Sequence, residues 1–127
     1  MNQYVGLNSL PLPSIEAVIR AYPNPSRWDN RNTLANSYCV GGAFLRYISD
    51  IAQIKFEPIK IYSYPFTDEL YHIFSFFVSN EQVKDKTLYK LTYELIMHSG
   101  IGEFDLAWKK LELALNRIGQ LRKEHSK

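Results

Sequence analysis

The stretch EQVKDKTLYKLTYELIMHSGIGEFDLAWKKLELALNRIGQL, residues Glu81–Leu121, decides the class of the fold. In its second half, Phe104, Trp108, Leu111, Leu115 and Ile118 recur at intervals of four, three, four and three. That spacing keeps one face of an α-helix apolar. Ala107, Ala114 and Leu121 flank the stripe at intervals of seven, and the small alanines let a neighbouring helix approach closely. Lys109, Lys110, Glu112, Asn116 and Arg117 fill the other side. Glu103 and Asp105 suit the positive N-terminal end of this helix, and Arg117, Arg122 and Lys123 its negative C-terminal end. Gly119 is its weak point, costing up to about 1 kcal/mol against alanine.

The first half of the stretch predicts a helix over 81–98. Ser79 and Gln82 have capping-box spacing, and Gly100 is the expected terminator. Leu88, Leu91 and Leu95 make one stripe; Tyr89, Tyr93 and Ile96 make a second beside it. A helix apolar over so wide an arc is expected to be largely surrounded. The connection Ser99–Gly102 is short, so the two helices should form an antiparallel hairpin.

Working outward, a third helix is expected over 68–78, capped by Thr67, with Phe66 and Tyr71 as a hydrophobic staple. Leu70, Phe74 and Phe77 form its buried stripe, widened by Ile73 and Phe76. Residues 33–50 read as a helix with Leu34, Tyr38, Leu45 and Ile48 on one face and Asn32 or Thr33 as cap. A short helix over 15–22 follows the cap candidate Ser14 and stops before Pro23, because a residue preceding proline avoids the helical region. Only 54–64 looks strand-like: Ile59 and Ile61 alternate with Lys60 and Tyr62, while Pro58 restricts such a strand to an edge. A lone strand has no partner, so this segment reads as a short extended crossover, with a hairpin folding at Glu57–Pro58 as the alternative. The expected fold is all-α: one compact domain over 1–127, a bundle of four or five helices.

Composition agrees with that class. The chain has 127 residues, 46% of them hydrophobic, enough for one core without a disulfide or metal staple. The net charge of +2 is too mild to imply nucleic acid or an acidic membrane. No run approaches the roughly 18 apolar residues that a membrane span needs. No basic stretch followed by an apolar one opens the chain, so no signal peptide is read. The single cysteine excludes an intrachain disulfide, and the expected location is the cytoplasm. All six prolines lie at or before Pro65, and no linker is long enough to divide two domains.

The chemistry-bearing patterns are few. There is no GxxxxGK[ST], no GxGxxG, no GxSxG and no kinase signature. No HxxxH, CxxC or HExxH supplies metal ligands, so neither a metal nor a cofactor is expected. Gly41 and Gly42, adjacent within a helical pattern, cost roughly 1.5–2 kcal/mol against alanine. Close packing of a bulky neighbour over the bare backbone is the expected compensation; a helix bend or an approaching ligand are the other readings. Cys39, between Tyr38 and Val40, reads as a small buried hydrophobe. His98 reads as a partly buried, hydrogen-bonded residue near a helix end. No catalytic residue is assigned.

The most informative polar cluster is Ser26-Arg27-Trp28-Asp29-Asn30-Arg31-Asn32. Trp and Arg dominate binding hot spots, so Arg27, Trp28 and Arg31 are the candidate partner-binding residues, although Trp28 could instead cap the core and Asp29 pair with an arginine. Aromatic residues make up 14% of the chain, more than four helices need to bury. These features point to a small helical protein-interaction or regulatory module without catalytic activity, its partner another protein or a second copy of itself. A nucleic-acid accessory role would rest on Arg27, Trp28, Arg31 and the basic tail Arg117–Lys127. An enzyme would rest on Cys39 with His72 or His98.

Overall fold

The protein, seen in a computed structural model, is described over residues 4–25, 39–54, 66–81 and 83–125. A 3-10 turn, Leu7–Ser9, precedes five α-helices: α1 (Ile15–Ala21), α2 (Val40–Ala52), α3 (Phe66–Val78), α4 (Lys86–Gly100) and α5 (Phe104–His125). No strand occurs among the described residues. Of the expected crossover over 54–64, only Ile54 falls within them.

The helices form a bundle around one hydrophobic cluster to which every one of them contributes. The α4–α5 pair has the most extensive packing, as the short connection predicts. Along α5, Ala107, Trp108, Leu111, Ala114, Leu115, Ile118 and Leu121 are buried and Phe104 is partly so. From α3, Leu70, Ile73, Phe74 and Phe77 point inward. Phe44 of α2 meets Phe74 at 5.3 Å and 64° and Phe77 at 5.7 Å and 56°. Tilted pairs of this kind contribute about 0.5–1.5 kcal/mol each beyond area burial.

Helix ends explain most departures from the sequence reading. Helix α1 starts as expected, with Ser14 Oγ accepting the Ala17 amide at 3.2 Å. Helix α2 does not run unbroken from 33. Cys39 is extended (φ −87°, ψ 178°) and caps a helix beginning at Val40, and residues 33–38 lie outside the described residues. Helix α3 begins at Phe66, which puts Thr67 inside the first turn rather than at the cap.

Helix α4 begins five residues later than the capping-box spacing predicts. Ser79 Oγ does accept an amide, that of Glu81, but this makes only a local turn. Asp85 is the cap: its Oδ2 accepts from Leu88 N at 2.9 Å. At the other end, α4 stops at Gly100, but the left-handed residue is Gly102 (φ +83°). Glu103 N donates to His98 O at 2.9 Å and Gly102 N to Ser99 O at 3.2 Å, the two bonds of a Schellman turn. That turn reverses the chain into α5.

The face that α4 buries also differs. Leu88, Thr92, Leu95 and Ser99 are its fully buried positions, and two of these are polar. Thr92 Oγ1 donates to Leu88 O at 2.8 Å, and Ser99 Oγ accepts the Val40 amide at 2.9 Å. Both hydroxyls are therefore satisfied, which removes the cost of burying them. The Tyr89–Tyr93 stripe, expected to be surrounded, faces solvent instead.

Candidate functional site

Arg27, Trp28 and Arg31 lie outside the described residues. Gly41 and Gly42 are both buried. They occupy the first turn of α2, not a helix interior, so the amides there need partners from outside the helix. Gly42 N donates to Cys39 Sγ at 3.3 Å, Ala43 N to Cys39 O at 2.8 Å, and Val40 N to Ser99 of α4. The start of α2 is thus seated on the end of α4.

Cys39 is a free, buried thiol. Burial pushes its pKa up, outweighing the amide hydrogen bonds and the charge of Arg46, which act in the opposite sense. At neutral pH it is protonated, the reverse of the environment that makes a cysteine nucleophilic. The histidines named with it are engaged elsewhere. His72 lies edge-on to Phe76 (5.0 Å, 81°) and to Tyr4 (6.0 Å, 76°). His98 Nδ1 is 2.9 Å from Glu103 Oε1, a side-chain clasp across the Schellman turn. Among the described residues no group of three or more His, Cys, Asp or Glu side chains could hold a metal ion. Nor is any described helix long and apolar enough to cross a membrane.

The longest-range polar contacts tie chain ends together. Arg122 of α5 donates to Phe77 O at the end of α3 and to Leu7 O at 3.2 Å. Its burial lowers its pKa. It lines a cleft of about 390 Å³ beside Asn8, Ser79 and His125. Two carbonyl acceptors from separate elements give Arg122 a structural task there. Tyr71 bridges α3 and the α4 entry, donating to Val83 O at 3.0 Å and accepting from Asp85 N at 2.8 Å.

The distinctive surface is the outer side of the α4–α5 hairpin. Among the described residues, Tyr89, Tyr93, Met97, Ile101 and Leu106 are five of the seven large hydrophobic side chains left exposed, each by between 40 and 55%. The first four follow one another at intervals of four, which is a single helical face. Tyr89 is fixed in place: its hydroxyl donates to Asp68 Oδ1 at 2.8 Å and its ring stands at 77° to Tyr71, 5.1 Å away. Tyr93 and Met97 lie nearly opposite the buried Leu88–Leu95 side. Lys110 Nζ, 3.6 Å from Glu94 Oε1, marks where α5 borders this face. The sequence reading found these tyrosines by their spacing but assigned them to the core. The overlooked signal was the second stripe of Leu88, Thr92, Leu95 and Ser99, which competes for burial only if two hydroxyls can be satisfied.

No family model, no curated protein and no solved structure matches the chain.

Proposed function

We propose that the chain is a small helical protein-interaction module of regulatory type, without catalytic activity, which engages its partner through the outer face of α4 and the adjoining start of α5. The observation that carries this reading is the exposed series Tyr89, Tyr93, Met97 and Ile101, joined by Leu106. A row of exposed apolar side chains along one face, as opposed to singly scattered ones, is how an interaction site shows itself on a folded domain. Tyr and Met are also among the residues enriched where proteins meet, because they give large contact area with adaptable edges. Anchors one helical turn apart, as here at i and i+4, are how one helix presents a docking edge to another. The protonated, buried Cys39 thiol supports the non-catalytic part of the reading. A single free cysteine suits a reducing compartment, and we assign the module to the cytoplasm.

The test is affinity capture from nuclease-treated cell lysate, comparing the native chain with Tyr93→Lys and Met97→Lys. A protein retained by the native chain and lost from both variants is the expected result. Retention that is indifferent to both substitutions, or that disappears with nuclease, overturns the reading.

A further inference from the structure

We propose that the partner on this face is a second copy of the same chain, paired antiparallel through α4 about a two-fold axis. This rests on the interaction reading above and goes further by naming the occupant. A two-fold interface joins one patch to itself, so the patch must be self-complementary: what one end offers, the other end must accept.

The outer face of α4 meets that condition along its length. At its N-terminal end Lys84, Lys86 and Lys90 are exposed and make no hydrogen bond or ion pair among the described residues. Of the carboxylates nearby, Asp85 is paired with Arg117, while Asp68 accepts the Tyr89 hydroxyl and keeps its charge, which the three lysines outweigh. At the other end, the hairpin tip exposes the carboxylates of Glu103 and Asp105, the first of them beside His98. The middle is apolar, with Tyr93 and Met97, and its one ion pair, Glu94–Lys110, is internally neutral. The order is therefore cationic, apolar, anionic. A parallel pairing sets like charges together. An antiparallel pairing sets each lysine end against the acidic tip of the other copy.

Geometry fixes the register. With the axis between Ile96 and Met97, Lys90 and Lys86 lie about 10 and 16 Å along the helix from it, at a rise of about 1.5 Å per residue. The Glu103–Asp105 tip of the other copy falls in the same zone. In that register Tyr93 of one copy faces Gly100 of the other. The outer side of Gly100 is open, since a Cβ built there meets nothing within 4 Å, so a tyrosine ring has room to settle on the bare backbone. One helix face with flanking residues of α5 reaches only the low end of stable interface sizes, about 600 Å² per partner, so the dimer is a reversible one.

Sedimentation equilibrium of the purified full chain, at roughly 10 to 500 μM, reads this out directly. The expected result is a monomer–dimer equilibrium that Tyr93→Lys abolishes. Lys90→Glu alone and Asp105→Lys alone should each weaken association about tenfold or more, because each leaves like charges facing across the interface. Their combination restores opposite charges and should recover affinity to within about threefold of the native chain. Helical circular dichroism of each variant separates lost pairing from lost folding, and the charge swap keeps the test open if Tyr93→Lys misfolds. A native chain that stays monomeric throughout overturns self-pairing, as does a dimer unaffected by the charge reversals. In the monomeric case the interaction reading still stands or falls separately, on whether lysate capture depends on Tyr93 and Met97.

Discussion

Arg117 of α5 grips both carboxylate oxygens of Asp85, with Nε 2.9 Å from Oδ2 and Nη2 2.7 Å from Oδ1. The same carboxylate caps the first turn of α4. One residue thus sets where α4 begins and where α5 lies against it. The guanidinium beside it, more than the capping amide of Leu88, holds the Asp85 carboxyl below its ordinary pKa against a smaller opposing effect of burial.

A depressed carboxylate pKa stabilises the fold above the unfolded value, near about 3.9, and that stabilisation is lost as pH falls through the lower folded value. Asp85→Asn keeps a capping oxygen but removes the charge. It should lower stability at pH 7 by about 1–2 kcal/mol. The gap between native and variant should narrow as the pH drops below about 4. Urea titrations at both pH values check this; a gap that stays constant or widens in acid contradicts it.

Ser99→Ala should be among the more damaging single-atom changes. Ser99 Oγ accepts the Val40 amide in a buried contact between α4 and α2. Removing it leaves that N–H unpaired away from water, at about 1–3 kcal/mol. Chemical denaturation measures the loss. Hydrogen exchange at Val40 should accelerate with it, and an unchanged exchange rate would show that the amide has another partner.

Cys39 is expected to be unreactive until the protein unfolds. Its thiol is buried and its pKa raised, so Ellman's reagent at neutral pH should label it slowly in water and rapidly in concentrated urea. Fast labelling of the folded chain contradicts the geometry. The capping role adds an ordering. Serine is a far better N-cap than alanine, so Cys39→Ser should be more stable than Cys39→Ala, by about 1 kcal/mol.

How far the sequence carried the reading is clearest in the last two helices. The Trp108–Leu111–Leu115–Ile118 stripe has one apolar solution, and the structure buries it. Ser14, three residues before the amide it accepts, is equally local. The start of α4 was not legible, because Ser79 and Asp85 are both competent caps. The choice falls to Asp85 through Arg117, 32 residues away. For the same reason the tyrosine stripe of α4 looks like core beside the leucines, of which Leu88 and Leu95 are indeed buried. Thr92 and Ser99 become buriable only when Leu88 O and the Val40 amide are supplied, and the second comes from another helix. The start of α2 was not legible either, because Cys39 is apolar by composition and caps the helix only by position, so Gly41 and Gly42 look like a helix interior rather than a first turn.

Gly119 offers a stabilising change. It lies within α5, and a Cβ there would meet Leu12 Cδ1 at 3.6 Å, an ordinary contact. Gly119→Ala therefore gains helix propensity and restricts the unfolded chain without a clash. The expected gain is about 0.5–1 kcal/mol, measured as a raised denaturation midpoint. A loss would mean that α5 and the segment around Leu12 need the closer approach.

The last expectation separates folding from function within one helix. Tyr93 and Leu95 are two residues apart on α4, one facing water and the other fully buried. Leu95→Ala should cost about 2–5 kcal/mol, through lost transfer energy and the cavity left behind. Tyr93→Ser should change stability by no more than about 0.5 kcal/mol, because surface substitutions without a packing partner rarely do more. If Tyr93→Ser were as damaging as Leu95→Ala, the outer stripe would be part of the core and its apolar character would need no partner to explain it. With Tyr93→Ser neutral to folding, the tyrosine contributes nothing that the monomer needs. Its place among Tyr89, Met97 and Ile101 then leaves that face free for the docking role proposed for it. Thermal and urea unfolding of the two variants, followed by circular dichroism, decide between these outcomes. They are best made at low protein concentration, where self-association does not lift the apparent stability of the native chain.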